Sequence, residues 1–308
     1  MTTEPPVIEI GGVSIALALN QGPASQYFEG LLERHRSEQT PQCIFEVLPR
    51  LELPRERKTV WSHGPLQVSE SVDAWWVTGA STVARVGRSG ASIALAEPAS
   101  ERSAGWDRAS ASAALSLLMR IHRRFYLHAA TVEWCGHSVL IVGPSGVGKT
   151  TLAVLMALHG GRLQGDDSAF VTAERVWAVA HEVRIDPRSL ESRRDLAGKI
   201  RRIDGVKGVL RDLGPHGGGV SADVLMFPTL APIGGLSAER ISSAGALLKL
   251  LGASPFATER RIPGVADQLT SLTDLANRCV SFRVSSGPDV LSAPQEELLR
   301  LKARLLEK

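Results

Sequence analysis

The pattern of apolar and polar positions changes midway along the chain. In the first third, short apolar runs alternate with polar residues at every second position and are separated by glycine-bearing turns, which predicts strands. Residues 7–18 predict two short strands around a turn at Gly11-Gly12. The runs between residues 43 and 93 predict antiparallel hairpins or a small meander. This part of the chain is therefore predicted to be β-rich.

Two segments in the same region have the spacing of helices. Residues 27–35 and 110–124 carry apolar side chains three and four positions apart, which form one stripe on a helix. Before the second helix, residues 96–107 are polar and contain proline and glycine, so they predict a hinge. The hinge divides the chain into a β-rich accessory or substrate-selecting domain, residues 1–107, and a larger domain, residues 108–308.

From residue 128 onward, predicted strands alternate with predicted helices, as in an α/β protein. Two strands, residues 131–134 and 138–142, precede a helix at residues 150–159, which Gly160-Gly161 terminates. The other predicted elements are strands at 169–172, 176–180 and 224–230, a mobile basic loop at 199–219, and helices at 243–252, 267–276 and 294–307.

Composition narrows the class of protein. The 308 residues are 44% hydrophobic and 22% charged, which is typical of a globular protein with a substantial core. A net charge of +3 is too small to indicate nucleic-acid binding. Three widely spaced cysteines without a C-x-x-C pair fit a reducing cytoplasm. There is no secretory signal pattern and no run of about 18 apolar residues, so we expect a cytoplasmic protein without a membrane partner.

One segment carries recognisable chemistry. Residues 143–150, G-P-S-G-V-G-K-T, match the phosphate-binding pattern G-x-x-x-x-G-K-[ST]. Its glycines let the backbone wrap around phosphate oxygens, Lys149 supplies a cation for the β- and γ-phosphates, and the Thr150 hydroxyl is a ligand for Mg²⁺. A predicted strand precedes the pattern and a predicted helix follows it, which favours a nucleotide site over a chance glycine-rich turn. The predicted ATP-contacting residues are Gly143, Pro144, Ser145, Gly146, Val147, Gly148, Lys149, Thr150 and Thr151.

Two adjacent carboxylates, Asp166 and Asp167, follow the predicted helix. Their charges repel, so a nearby cation such as phosphate-bound Mg²⁺ would favour their placement together. A solvent-exposed turn or a helix N-cap explains the pair equally well on spacing alone. The segment R-L-Q-G before them is not the strongly apolar strand expected before the metal-binding Asp of GTPases and transporter ATPases.

Taken together, residues 127–170 resemble the catalytic core of the HPr kinase/phosphorylase family. That family has a histidine followed by a small residue, a strand pair, a phosphate-binding loop, a helix and then R-L-x-A-D-D. Here these are His128-Ala129, the two strands, residues 143–150, the helix and residues 162–167. Phosphoenolpyruvate carboxykinases are similar in fold. The resemblance implies an α/β fold, with a P-loop nucleotide-binding domain of HPr kinase type preceded by a smaller β-rich α+β N-terminal domain.

The resemblance also implies a reaction, in which ATP with Mg²⁺ phosphorylates a serine-type hydroxyl on a protein or peptide. The family's metal-binding glutamate is matched by Glu191 in L-E-S-R-R, but the glycines of that family segment are absent and a helix surface of mixed charge explains these residues as well. This departure argues against HPr itself as the substrate. The implied catalytic residues are Asp166 as general base, His128 beside the phosphates and Lys149. The implied metal ligands are Thr150, Asp167 and Glu191.

Other functions fit parts of the pattern. An ATP-binding switch or scaffold with only slow hydrolysis needs the phosphate loop but not the aspartate pair. A transporter-type ATPase needs a signature sequence that residues 234–240 do not provide. A carboxykinase acting on small molecules needs a longer chain with additional metal-ligating lysine and histidine. The leading prediction is an ATP-dependent serine kinase, for which the resemblance also allows a homo-oligomer, because the family often forms hexamers.

Overall fold

A computed structural model describes residues 4–19, 28, 31–95, 101–180, 183–185, 200–204, 207–210 and 218–306, which form a mixed α/β structure with several sheets. The chain divides into two compact units. The first contains Met1–Tyr126 and Phe256–Gln268, and the second contains Leu127–Pro255 and Leu269–Lys308. This division differs from the boundary predicted after residue 107. Within the described residues, no helix combines the length and the apolar character that crossing a membrane requires.

The first unit is built on a nine-stranded sheet. Its strands are β1 (Val7–Ile10), β2 (Val13–Ala18), β3 (Arg36–Ser37), β4 (Cys43–Val47), β5 (Lys58–His63), β6 (Leu66–Glu70), β7 (Trp75–Thr78), β8 (Thr82–Gly87) and β9 (Gly90–Leu95), in the order β3-β1-β2-β4-β9-β8-β7-β6-β5. β1 and β2 form the predicted hairpin, in which Gly11 and Gly12 have left-handed φ angles of 63° and 72°. Strands β5 to β9 form the predicted antiparallel meander.

Two pairings in this sheet have no counterpart in the sequence pattern. β4 pairs in parallel with β2 on one side and with β9 on the other. Parallel partners are joined by long connections, so local periodicity does not identify them. The helix predicted at residues 27–35 is present in its described residues, Phe28 and 31–35, and Phe28 packs against Phe45 with ring centroids 4.4 Å apart.

Helix α1 (Glu101–Ile121) packs across β7, β8 and β9. It begins well before residue 110, so the hinge predicted at residues 96–107 is wrong for residues 101–107, and the predicted domain boundary falls within a helix. A polar segment with one glycine does not prevent a helix, because a single glycine costs only about 1 kcal/mol. The apolar stripe predicted further along α1 is buried at Leu115, Leu118 and Met119.

The strands that follow along the chain are β10 (Phe125–Leu127), β11 (Ala129–Trp134), β12 (His137–Val142), β13 (Arg162–Gly165), β14 (Ala169–Val171), β15 (Val176–Ala178), β16 (Arg184–Ile185), β17 (Ile200–Asp204), β18 (Lys207–Leu210), β19 (Gly218–Val220), β20 (Val224–Leu230), β21 (Leu236–Arg240) and β22 (Val280–Ser286). The helices are α2 (Lys149–Leu158), α3 (Ser243–Gly252), α4 (Val265–Arg278), α5 (Asp289–Ser292) and α6 (Pro294–Leu306). The main sheet of the second unit has the order β13-β11-β12-β20-β22-β21, in which β12, β20 and β22 are parallel neighbours.

Both faces of the central strand β12 are buried. Val139 and Ile141 belong to an apolar cluster that includes α2, whereas Leu140 and Val142 belong to a second cluster that includes α3 and α4. Side chains alternate across a strand, so a strand covered on both faces has a continuous apolar run. This explains why V-L-I-V directly precedes the glycine-rich segment.

The loop predicted at residues 199–219 is wrong for its described parts, which form β17, β18 and β19. β17 and β18 are antiparallel, with Asp204 opposite Lys207. The Asp-Gly dipeptide at residues 204–205 is a hairpin signal that the glycine- and arginine-rich composition obscured. β19 pairs with β15, which in turn pairs with β14.

Candidate active site

A glycine-rich loop, residues 143–148, joins the end of β12 to the start of α2. Gly146 and Gly148 have φ angles of 86° and 92°, a backbone conformation that glycine adopts without strain. Gly148 is the N-cap of α2, and no side chain there accepts from the first amides of the helix. A helix that begins in this way presents unpaired N–H groups and a partial positive charge, which suits an anion.

The other predicted loop residues differ in exposure. Gly143 is buried, and a Cβ added to it would lie 3.0 Å from Cγ2 of Val147. A Cβ at Gly146 would meet nothing within 4 Å, so this part of the loop faces open space. Pro144, Ser145 and Gly146 are exposed, and Val147, Gly148, Thr150 and Thr151 are half-buried.

Lys149, the first residue of α2, is only 5% exposed. Its ammonium group donates to the carbonyl oxygen of Pro144 at 2.9 Å and lies 2.7 Å from Nε2 of His128. Nδ1 of His128 lies 2.9 Å from the carbonyl oxygen of Asp167. A carbonyl only accepts, so Nδ1 carries the proton and Nε2 accepts from Lys149, which requires the neutral imidazole ring. The histidine thus links the lysine to the aspartate turn.

His128 is held in place by its backbone. It lies directly before β11, and its N–H donates to the carbonyl oxygen of Ala253, the C-cap of α3, at 2.9 Å. β11 also pairs with β12 and with β13, the strands that precede the glycine-rich loop and the aspartates. Three segments distant in sequence therefore meet at one end of this part of the sheet.

Asp166 lies against the hydroxyl group of Thr150, a predicted Mg²⁺ ligand. Oγ1 of Thr150 lies 3.0 and 3.1 Å from the two carboxylate oxygens of Asp166, which is 4% exposed. Burial, and secondly the charge of Asp167, raise the pKa of the Asp166 carboxyl to about 6. The Thr150 hydrogen bond and the Lys149 charge lower that pKa in part. The pKa of the Asp166 carboxyl therefore lies close to neutral pH.

The two aspartates point to different environments. Asp167 has a left-handed φ of 68°, and its side chain is 66% exposed, with Oδ1 3.3 Å from Nδ1 of His128. Just before the pair, Gly165 passes so close to the chain that an added Cβ would lie 2.7 Å from the carbonyl oxygen of Val179. The turn therefore separates one buried carboxylate from one exposed carboxylate, and a fully solvent-exposed turn is excluded for Asp166.

The structure brings together His128, Lys149, Thr150, Asp166 and Asp167, five of the predicted residues. Glu191 lies outside the described residues. The sequence pattern did not identify the Pro144 carbonyl as a partner of Lys149, because a sequence motif specifies side chains and not backbone groups. It also did not identify Gly165, whose role depends on its contact with Val179. It also did not identify Leu230, which ends β20 and is 66% exposed. Cδ2 of Leu230 lies 3.6 Å from the position of a Cβ on Gly148. Its place at the carboxyl end of a parallel strand, where ligands bind in α/β sheets, is the signal that would have indicated Leu230.

The oxygen atoms at this site are suited to Mg²⁺. Among the described residues, no group of three or more His, Cys, Asp or Glu side chains has the arrangement of a protein-only metal site. Mg²⁺ does not need one, because it is commonly bound through one or two carboxylates together with water and substrate phosphates. The Thr150 hydroxyl and the aspartate pair offer such oxygens, next to a loop with room for phosphate.

A separate cavity of about 380 Å³ lies elsewhere in the second unit. It is lined by Trp134, Cys135, Leu158, His159, Gly160, Gln295, Leu298, Leu299 and Lys302. Trp134 and Cys135 lie at the β11–β12 turn, whereas the glycine-rich loop follows the other end of β12. This cavity is therefore not part of the candidate active site.

No protein-family model matches the sequence, and no curated protein matches it. Among solved structures, the Hpr(Ser) kinase/phosphatase from Coxiella burnetii is similar at 10% sequence identity, with a TM-score of 0.31, over 58% of this chain and 97% of that chain. The chain is thus at most distantly similar to that protein.

Proposed function

We propose that the protein is an ATP-dependent phosphotransferase that phosphorylates a serine-type hydroxyl on a protein or peptide. The observation that supports this best is the contact between Thr150 and the buried Asp166 beside Lys149, at the start of a helix with a glycine N-cap. A loop that only binds phosphate does not need a buried carboxyl group of raised proton affinity. A phosphotransferase needs one, because the attacking hydroxyl must lose its proton.

The proposal assigns ATP to the glycine-rich loop. The amides of residues 143–148 and the first turn of α2 would contact phosphate oxygens, and Lys149 would balance their charge. Thr150 and Asp167 would hold Mg²⁺. When bound, ATP would supply the phosphoryl group, and Mg²⁺ would neutralise part of its negative charge. Lys149 needs little movement for this role, since its ammonium group is already held at the loop by Pro144 and His128.

Asp166 is assigned as the general base, with Asp167 near the metal. Its pKa of about 6 is close to the value at which a carboxylate is both ionised at neutral pH and able to accept a proton. In the transfer step the acceptor oxygen would bond to the γ-phosphorus as the bond from that phosphorus to the β–γ bridging oxygen breaks, Asp166 would accept the proton of the acceptor hydroxyl, and ADP would leave. In the opposite assignment Asp167 is the base, and its exposed carboxylate would be easier for an acceptor to reach. Variants of each aspartate are needed to distinguish the two assignments.

A second candidate is an ATP-binding switch or scaffold with slow hydrolysis. It is favoured by the burial of Asp166, whose two oxygens both lie within hydrogen-bond distance of Thr150 and which therefore offers little access to a bulky acceptor. In this case the site would bind nucleotide and metal without a protein substrate.

Homo-oligomer formation and a cytoplasmic location also remain part of the proposal.

The test is incubation of the purified protein with γ-labelled ATP and Mg²⁺, with and without a lysate of the source organism. We expect label on a lysate protein, and we expect it to disappear with Asp166→Asn while ATP binding persists. Lys149→Ala should lose both binding and transfer. Binding with slow hydrolysis and no labelled acceptor would instead support the switch.

A further inference from the structure

Arg120 is a buried cation in the first unit, whereas the candidate active site belongs to the second unit. It lies near the end of α1, is 2% exposed, and has no carboxylate partner among the described residues. Its Nε donates to the carbonyl oxygen of Pro263 at 2.9 Å, and Nη1 donates to Oε1 of Gln268 at 2.5 Å. Its guanidinium carbon lies 5.3 Å from the centroid of the Phe125 ring. An unpaired charge in such a place is costly, because burial removes its hydration.

Two N–H donors beside this charge lack acceptors. Nη2 of Arg120 and Nε2 of Gln268 are both buried, and neither has a hydrogen-bond partner within the described part of the chain. Gln268 is 0% exposed. Turning the amide of Gln268 does not solve the problem, because its oxygen is needed by Nη1 of Arg120. Buried donors in native proteins are nearly always paired, so these two point to an acceptor that is not a protein atom.

The surroundings of Arg120 favour a negatively charged acceptor. Burial lowers the pKa of the Arg120 guanidinium to about 10, as expected for a cation that has lost its hydration. Burial, and secondly the charge of Arg124, lower the pKa of His122, whose Nε2 is also buried without a partner in the described residues. An acceptor with a negative charge would offset the local excess of positive charge, whereas a water molecule would only fill the hydrogen bonds.

The geometry points to an oxyanion site: we propose that the first unit binds a carboxylate or phosphate group between Nη2 of Arg120 and Nε2 of Gln268. Both donors flank one hydrogen bond, so two oxygens of one group can reach them, and the fork of a guanidinium suits such a group. Asp267, which precedes Gln268 in the chain, forms an exposed ion pair of 3.6 Å with Arg123. An exposed pair of this length is weak and opens at little cost.

The site would give the first unit a role that the proposed kinase chemistry does not assign to it, namely recognition of an acidic small molecule or acidic group. The segment 256–268 belongs to the first unit although it lies between segments of the second unit in sequence. Gln268 and Pro263 both lie on that segment. An anion bound at Arg120 would therefore stabilise the attachment of this segment to the end of α1.

The test is the thermal unfolding of the full chain in acetate and in phosphate, each against chloride at constant ionic strength. Phosphate would also bind the proposed ATP site, so the titration is carried out in the Lys149→Ala protein. We expect a saturable rise in the unfolding midpoint of about 3 °C. A rise with acetate identifies a carboxylate as a ligand, and a rise with phosphate alone identifies a phosphate group. No saturable rise with either anion overturns the proposal and leaves water as the acceptor.

Three variants locate the effect. Arg120→Met keeps the volume and removes the charge, so it should abolish the rise. Gln268→Glu places a carboxylate against the guanidinium, so it should raise stability in chloride and make the midpoint insensitive to added anions, even if Arg120→Met does not fold. Arg283→Met removes an exposed arginine of the second unit that is paired with Glu239, and it should leave the rise unchanged. A rise that persists in Gln268→Glu would overturn the proposal.

Discussion

Nζ of Lys149 lies 2.7 Å from Nε2 of His128, so the ammonium group at the glycine-rich loop is held by a neutral imidazole. The other ring nitrogen is fixed by the carbonyl oxygen of Asp167 at 2.9 Å. The histidine therefore orients the lysine without adding a second positive charge. His128 acts as a positioning residue in this arrangement, whether or not it touches the substrate.

This relationship predicts a graded loss of nucleotide binding. His128→Ala removes one hydrogen bond to a charged group, which is worth about 1.5–3 kcal/mol, so the affinity for ATP should fall about 10- to 100-fold. Lys149→Ala removes the cation itself, so its affinity for ATP should fall further, below detection by isothermal titration calorimetry. Unchanged ATP affinity in His128→Ala would show that Lys149 needs no positioning partner.

The aspartate pair predicts two different phenotypes. Asp166→Asn should keep ATP binding and lower the transfer rate by about 10²- to 10⁴-fold, because the amide accepts no proton. Asp167→Asn should raise the Mg²⁺ concentration needed for half-maximal activity while leaving the rate at saturating Mg²⁺ closer to that of the wild type. Steady-state kinetics against Mg²⁺ separates them. If the two phenotypes are exchanged between the variants, Asp167 is the base and Asp166 the metal ligand.

The raised pKa of Asp166 predicts a pH dependence of stability in the absence of Mg²⁺. Its carboxyl group has a folded-state pKa of about 6 against an ordinary value of 3.8. Between these values the folded state binds the proton and the unfolded state does not. The contribution to stability is therefore greatest near pH 4 and is lost as pH rises through about 6, by on the order of 3 kcal/mol.

Denaturant unfolding of the wild type and Asp166→Asn from pH 4 to 7, with a chelator present, measures this effect. The asparagine does not titrate, so the difference in the free energy of unfolding, variant minus wild type, should grow in favour of the variant as pH rises. Parallel pH profiles for the two proteins would contradict a raised pKa. Added Mg²⁺ should flatten the wild-type profile, since a cation held by Thr150 and Asp167 favours the ionised form of the neighbouring Asp166 carboxylate.

The close packing at Gly165 predicts a structural requirement for glycine just before the aspartates. A Cβ there would lie 2.7 Å from the carbonyl oxygen of Val179 and 3.1 Å from Cβ of Ala178, so Gly165→Ala should destabilise the fold by about 1–3 kcal/mol. It should also shift Asp166 and impair transfer. Gly252→Ala is the matched control, because it lies in α3 and its added Cβ meets nothing within 4 Å. Equal stability of the two variants, measured by thermal unfolding, would contradict the steric argument.

Local patterns in the sequence were sufficient for the elements that carry the site. The V-L-I-V run, the glycine-rich segment and the following apolar spacing predicted β12, its loop and α2 to within one or two residues. They did so because the chemistry of a phosphate-binding turn and the burial of a central strand both act over short stretches of chain. The hairpin at Gly11-Gly12 and the helix Ser243–Gly252 were predicted for the same reason.

Only the tertiary structure decided how these pieces meet. The pairing of β11 with both β12 and β13 brings His128, Lys149 and Asp166 together from positions up to 38 residues apart in sequence, between residues 128 and 166. The burial of Asp166 and the exposure of Asp167 depend on the turn after Gly165, and the unpaired donors at Arg120 depend on a segment more than a hundred residues away. Spacing specifies which groups are present, but burial and charge compensation depend on neighbours that only the folded chain supplies.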